Sequence, residues 1–244
     1  MNSVSRRVLN ANYFSKNGFI FAFFIESMQI HNKHKTALVI SDSLTGRMVV
    51  RELVEQKNYD QVLLWTDKPM DLQHSKLRQF VYDPEQTPEE IKTAGGHDLF
   101  FCQSHDFFSS ARKLAFQRRA FSFPLKLAIT ALDAGVNQCV WLSVAGANPK
   151  ATLFFYEIMG QMEVALKKLP FWSIHIFRPG LPAQSSWWQL LNRVVQEIAD
   201  EDYVVPVDHL AREMVKAAQG TEEGIFSYSV SYLQKSHQNY LNLG

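Results

Sequence analysis

The chain reads as an α/β protein: a doubly wound, mostly parallel sheet with helices on both faces. Three observations predict this. Short, continuous apolar runs recur along the sequence, as expected of strands covered on both faces. Stretches of helical periodicity stand between them, the rhythm of strand–helix–strand crossovers. The sequence holds no internal repeat and no low-complexity linker, which favours one layered core over an array of units.

Taken in order, the apolar run TALVIS predicts a first strand at 36–41. A helix follows at 44–57, with Val49, Val50, Leu53 and Val54 on one face. QVLLWT predicts the second strand at 61–66, and alternating character predicts the third at 77–82. Thr87-Pro88-Glu89-Glu90 carries helix-start signals: a hydroxyl cap at Thr87, proline in the first turn, then acids that suit the positive end of the helix dipole. DLFFC predicts the fourth strand at 98–102. A helix at 123–134 should stop at Gly135, and QCVWLS predicts the fifth strand at 138–143. A helix at 153–169 and a strand at 173–177 follow, the strand closed by Arg178-Pro179-Gly180. A helix at 185–198 places Trp187, Trp188, Leu191, Val194, Val195 and Ile198 in one stripe.

Composition narrows the function classes. Twenty-five basic residues oppose 24 acidic ones, for a net charge of +1, so no bulk field draws the chain to nucleic acid or an anionic membrane. Two cysteines, Cys102 and Cys139, do not make a disulfide framework and read as small buried apolar residues in a reducing compartment. The longest apolar run, residues 18–25, is far shorter than the ~20 residues a membrane-spanning helix needs. A cytoplasmic protein is expected.

Residues 1–35 form a leader apart from this pattern. Arg6, Arg7 and Lys16 precede the apolar run as in a signal peptide, but Glu26 follows it at once and no small-x-small cleavage site appears. Met28 opens MQIHNKHKTALV, which runs straight into the first strand. The leader is therefore expected to be a poorly ordered extension or a mis-assigned start, with an interfacial anchor and a true signal as the alternatives. Residues 36–244 are expected to be a single domain with a short C-terminal lobe on the substrate side.

In such a sheet the ligand lies at the carboxyl ends of the strands, and the first strand–helix turn is glycine-rich so that backbone can approach a pyrophosphate. Here the turn is Ser41-Asp42-Ser43-Leu44-Thr45-Gly46, with one glycine. Asp42 adds negative charge where a phosphate would sit, and Ser43 suits a helix cap.

Across residues 36–228 the sequence resembles the atypical short-chain dehydrogenase/reductases, NAD(P)-binding Rossmann proteins of the Tat-interacting-protein-like subgroup. The resemblance is carried by ALVISDSLTGRMVVREL, QVLLWTDKPM, FPLKLAITALDAGVNQCVWLSVAGANPK, GQMEVALKKLPF, HIFRPGL and VVPVDHLAREMVKAA. It implies a Rossmann-like fold and a set of sites, and the chain departs from most of them. The family's first turn, as in VIGATGLTG, is one residue longer, and Ser41 and Ser43 replace its first two glycines. The implied cofactor-binding positions are Ser41, Ser43, Leu44, Thr45, Gly46, Asp67, Lys68 and Asp83. Asp67-Lys68 stands where the family places a basic pair on the NADP 2′-phosphate, and Asp67 would instead favour a ribose hydroxyl. Asp83 matches the acidic position near adenine. Gln103-Ser104-His105-Asp106 replaces a small, glycine-containing turn after the fourth strand.

The resemblance also implies a tyrosine acid with a lysine helper four residues on, which lowers the tyrosine pKa. These positions fall on Phe155 and Met159. Tyr156 plus four is Gly160, so neither register holds the pair. Ser143 matches the first of two paired serines and Val144 the second. Ser143 and Tyr156 are thus catalytic remnants. NAD or NADP is the implied cofactor class, with weak or absent binding expected.

The remaining candidates have plainer readings. His31 and His34 lack a third ligand for a metal. His175, between Ile174 and Ile176, reads as a satisfied histidine at the core edge. No nucleophile elbow anchors a Ser-His-Asp triad. The Trp187/Trp188 helix is a candidate partner surface if one tryptophan is exposed. The expected function is that of a pseudoenzyme, a nucleotide sensor or protein-interaction module. The alternative is an active NAD(P)-dependent oxidoreductase with an unconventional site, and a ligand-free structural relic stands third.

Overall fold

The computed structural model describes residues 34–103, 113–180 and 205–242. Most of the leader, residues 104–106 of the turn after the fourth strand, His31 and the Trp187/Trp188 helix lie outside them. The described residues build a parallel sheet in the order β3-β2-β1-β4-β5-β6-β7. Its strands are β1 (Lys35–Ser41), β2 (Tyr59–Thr66), β3 (Leu77–Val81), β4 (Asp98–Cys102), β5 (Gln138–Leu142), β6 (Ser173–Phe177) and β7 (Gly224–Tyr228). The helices are α1 (Leu44–Glu55), α2 (Thr87–Ala94), α3 (Lys113–Gln117), α4 (Phe123–Asp133), α5 (Phe154–Leu166), α6 (Val207–Ala218) and α7 (Val230–Leu241). A π-helical turn, Arg118–Ser122, joins α3 to α4.

Alternate strand residues feed two apolar layers. Leu38, Ile40, Trp65, Phe101 and Trp141 pack with α2, α4 and α5 on one face. Ala37, Val39, Leu64, Phe100 and Val140 pack with α1 and α6 on the other. Both faces are therefore covered, as the continuous apolar runs require. Cys102 and Cys139 are fully buried, and burial pushes both thiols well above their ordinary range, so neither is poised as a nucleophile.

Two features depart from the sequence expectation. Gln86 takes the cap position of α2, and Thr87 is its first residue. The Thr87 hydroxyl accepts from the Asp83 N–H at 3.2 Å instead of capping the helix. The C-terminal residues supply a seventh strand flanked by α6 and α7. α6 lies against α1 and buries Leu210, Ala211, Met214 and Val215.

A buried polar row crosses the amino edge of the sheet. Lys35 Nζ donates to Asp98 Oδ2 at 3.1 Å and to the Ala218 carbonyl, at the end of α6, at 3.2 Å. The Tyr59 hydroxyl also donates to Asp98. The Gln138 amide, in the orientation that satisfies its neighbours, donates to Asp98 Oδ1 and the Ala218 carbonyl and accepts from His175 Nε2 at 3.0 Å. His175 Nδ1 lies 2.9 Å from the Tyr228 hydroxyl and Nε2 lies 2.8 Å from Ser173 Oγ. Burial, with the Lys35 charge in the same sense, lowers the His175 pKa to about 4. His175 is thus the satisfied core-edge histidine that its strand position suggests.

Candidate functional site at the carboxyl edge

Because every strand pairing is parallel, Ser41, Thr66 and Cys102 end their strands on one edge, and Ser143 directly follows β5 there. The first turn is closed by its own side chains. Ser41 is buried. Its hydroxyl donates to the Cys102 carbonyl at 2.9 Å and accepts from the Ser43 N–H at 3.1 Å. Ser43 caps α1, accepting from the Gly46 N–H at 3.1 Å, and donates to the same Cys102 carbonyl. Two backbone donors at the helix start, where anions bind, are therefore satisfied internally.

Gly46 is needed here for a reason unrelated to phosphate. A Cβ built on it would stand 1.8 Å from Ser41 Oγ and 2.3 Å from Ser41 Cβ. The serine occupies the volume that a second glycine would leave open. Asp42 pairs with Arg119 of the π-helical turn, which puts a carboxylate and its counter-cation at the mouth. Leu44 is exposed and Thr45 half-buried. The residues present do not fit a pyrophosphate in the usual glycine cradle.

The adenosine side is equally self-contained. Asp67 and Lys68 are exposed. The Lys68 carbonyl accepts from Thr66 Oγ1 at 3.1 Å and from Arg47 Nη2 at 3.5 Å. Asp83 Oδ1 accepts from the Glu85 N–H at 2.9 Å, so this carboxylate organises the loop into α2. Gln103 is buried, with Nε2 3.5 Å from the Tyr82 hydroxyl. Burial raises that phenol to about 12.

On the other half of the edge, Phe155 packs against Phe116 and Tyr156, and Met159 is fully buried in the core. Tyr156 lies half-buried over Gly146, and burial raises its pKa. That shift disfavours the phenolate.

Ser143 meets a different group. Its hydroxyl donates to Glu163 Oε1 at 2.6 Å. Arg178 Nε donates to the same oxygen at 2.9 Å, and Arg178 Nη2 to Oε2. Glu163 is almost wholly buried, and the forked guanidinium compensates its charge. This carboxylate, Arg178 and Arg119 were not singled out from the sequence. Glu163 carried a signal: it shares the buried stripe of α5 with Ile158, Met159 and Met162, where an unpaired charge would be costly.

A rat relative, Protein HTATIP2 of Rattus norvegicus, is 26% identical over 202 residues, spanning 78% of this chain and 83% of that protein. Solved structures agree with the fold. The UDP-N-acetylglucosamine 4-epimerase of Methanobrevibacter ruminantium M1 superposes with a TM-score of 0.60 at 14% identity, covering 86% of this chain and 83% of its own. MoeE5 in complex with UDP-glucuronic acid and NAD also gives 0.60 at 14% identity, covering 80% and 76%. No protein-family model matches the chain. Among the described residues, no helix is long and apolar enough to cross a membrane.

Proposed function

We propose that this chain is a pseudoenzyme of its family, a cytoplasmic non-redox module formed by residues 36–244. Its dinucleotide cleft is held shut by its own side chains and acts as a nucleotide sensor or interaction platform. The observation that carries the reading is the closed first turn. Ser41 and Ser43 fill it and bond to the Cys102 carbonyl, while Asp42 brings a carboxylate paired to Arg119. Phe155 and Met159 support it, since neither side chain moves a proton. The cofactor class remains NAD or NADP, the former present in the MoeE5 complex. A dinucleotide entering this turn must displace the Asp42 carboxylate from Arg119, so its binding is weak.

One observation favours the alternative of an active oxidoreductase. Ser143, a catalytic remnant by the family resemblance, gathers with Glu163 and Arg178 as a hydroxyl, a carboxylate and a guanidinium. NAD, NADH, NADP and NADPH titrated against melting temperature, alongside NAD(P)H consumption on carbonyl substrates, separate the two. The pseudoenzyme reading expects a Kd weaker than ~10 μM and no turnover. Turnover near 1 per second, within the usual enzyme range, overturns it, and loss of that turnover in Tyr156→Phe would make Tyr156 the acid.

A further inference from the structure

A groove of about 300 Å³ runs between α2 and the strands β2 and β3, and no residue of the dinucleotide cleft lines it. Parallel pairing sets Leu63 beside Arg78 and Trp65 beside Phe80. Residues two apart on a strand share a face, so these four look into the groove together. Trp65 is fully buried and stacks on Phe80, with ring centroids 5.0 Å apart. This pair and Leu63 make an apolar floor. Glu90, Thr93 and Ala94, three and four residues apart and so on one face of α2, make the wall.

Wall and floor carry opposite charges that do not meet. Glu90 Oε2 accepts from Trp65 Nε1 at 2.6 Å. That donor is neutral, so it fixes the carboxylate in place without compensating its charge. Arg78 is exposed. It stands one strand over and two residues back from Trp65, roughly 8 Å away by the rise and spacing of strands. Among the described residues neither Glu90 nor Arg78 is held in an ion pair. The last turn of α2, with Thr93 and Ala94, also borders the groove, and the carbonyl end of a helix attracts a cation.

We propose that this groove binds a free α-amino acid with an apolar side chain. Its ammonium meets Glu90 Oε1 and the carbonyl end of α2, its carboxylate meets Arg78, and its side chain lies on Leu63 and Phe80. A guanidinium forks onto a carboxylate, and an apolar floor with a few placed charges is the usual make-up of a small-molecule site. The volume lies at the lower end of such sites, about 300–1,000 Å³, which suits one amino acid and not a dinucleotide. The site stands apart from the cleft and does not depend on whether the cleft is closed.

The test is isothermal titration calorimetry of the full chain with L-phenylalanine, L-phenylalaninamide, which lacks the carboxylate, and N-acetyl-L-phenylalanine, which lacks the ammonium. The free amino acid should bind once per chain with a Kd tighter than about 1 mM, and each blocked form at least tenfold more weakly. Arg78→Gln and Glu90→Gln should each weaken the free amino acid by tenfold or more. In Arg78→Gln the amide should bind as well as the free amino acid, because the lost carboxylate then has no partner to miss. Both variants should keep the fold: Arg78 is exposed, and glutamine at 90 retains an acceptor for the Trp65 indole. No binding by the parent protein overturns the proposal. So does an amide that binds the parent as tightly as the free amino acid, or an affinity that both substitutions leave unchanged.

Discussion

The two edges of the sheet are built from similar chemistry and teach different things. The amino edge places Lys35, Asp98, Tyr59, Gln138 and His175 in a continuous buried row, anchored on the end of α6. The carboxyl edge is divided into separate clusters. Ser41 and Ser43 meet the Cys102 carbonyl, Asp42 pairs with Arg119, and Ser143 shares Glu163 with Arg178. The first row is buried and serves the packing of strands on α6. The clusters of the second stand where ligands enter such folds. Arg119 and Arg178 remain about one-third exposed, so solvent or a competing anion reaches them. Polar content alone does not distinguish a scaffold from a site; access does.

The sharpest way to break the contrast is Lys35→Met. It strands the buried Asp98 carboxylate, and the expected loss is about 3–5 kcal/mol of stability, read by urea denaturation at pH 7. A loss below that of Glu163→Gln would reverse the ranking of the two edges. Glu163→Gln leaves a guanidinium that water partly reaches, so its cost should be nearer 1–3 kcal/mol.

The His175 titration follows in size. Its folded pKa of about 4 lies below the ordinary 6.5, so the unfolded chain binds the extra proton first. The stability contribution is whole above pH 6.5, falls as pH drops from 6.5 to 4, and is gone below that. The linked loss is about 3 kcal/mol at ~1.4 kcal/mol per unit. Denaturation of the parent and His175→Gln at pH 7 and pH 4 should show the parent losing more by that amount. Parallel losses would place the imidazole in a more solvated setting.

Gly46→Ala tests the closed turn. Overpacking against Ser41 should cost about 1–3 kcal/mol, and the double change Ser41→Gly with Gly46→Ala should recover most of it. A double variant no better than Gly46→Ala would disconnect the glycine from the serine. The smallest effect is expected from Asp42→Asn. Removing a carboxylate from a helix start changes charge interactions there by about 0.3–1 kcal/mol, which should tighten dinucleotide binding by roughly two- to fivefold in a thermal-shift titration. Weaker binding would mean that Asp42 helps to hold the ligand.

How far the molecule was legible in its sequence follows the same division. Strands flanked on both faces announce themselves as apolar runs, so β1, β2, β4, β5 and β6 were plain. β7 escaped because it is a short edge strand whose residues alternate between half-buried and exposed. The π-helical turn Arg118–Ser122 escaped because nothing in its residues marks the wider hydrogen-bonding pattern. Losses at the site were legible as substitutions at Ser41, Ser43, Phe155 and Met159. What filled the vacated space was not: the Ser41 contact with Gly46 and the Ser143–Glu163–Arg178 cluster join residues that are distant in sequence or folded back through a turn. Periodicity does not report which distant residues meet.

The Lys35 contact with Ala218 also bears on how the chain is made. The ammonium and the carbonyl it caps are 183 residues apart in sequence. At 5–20 residues per second on the ribosome, roughly 10–40 s separate their synthesis. During that interval Lys35 has Asp98 as a partner but not the Ala218 carbonyl. A nascent or truncated chain that stops short of α6 leaves the amine without that carbonyl, and the first strands without the helix that packs on one of their faces.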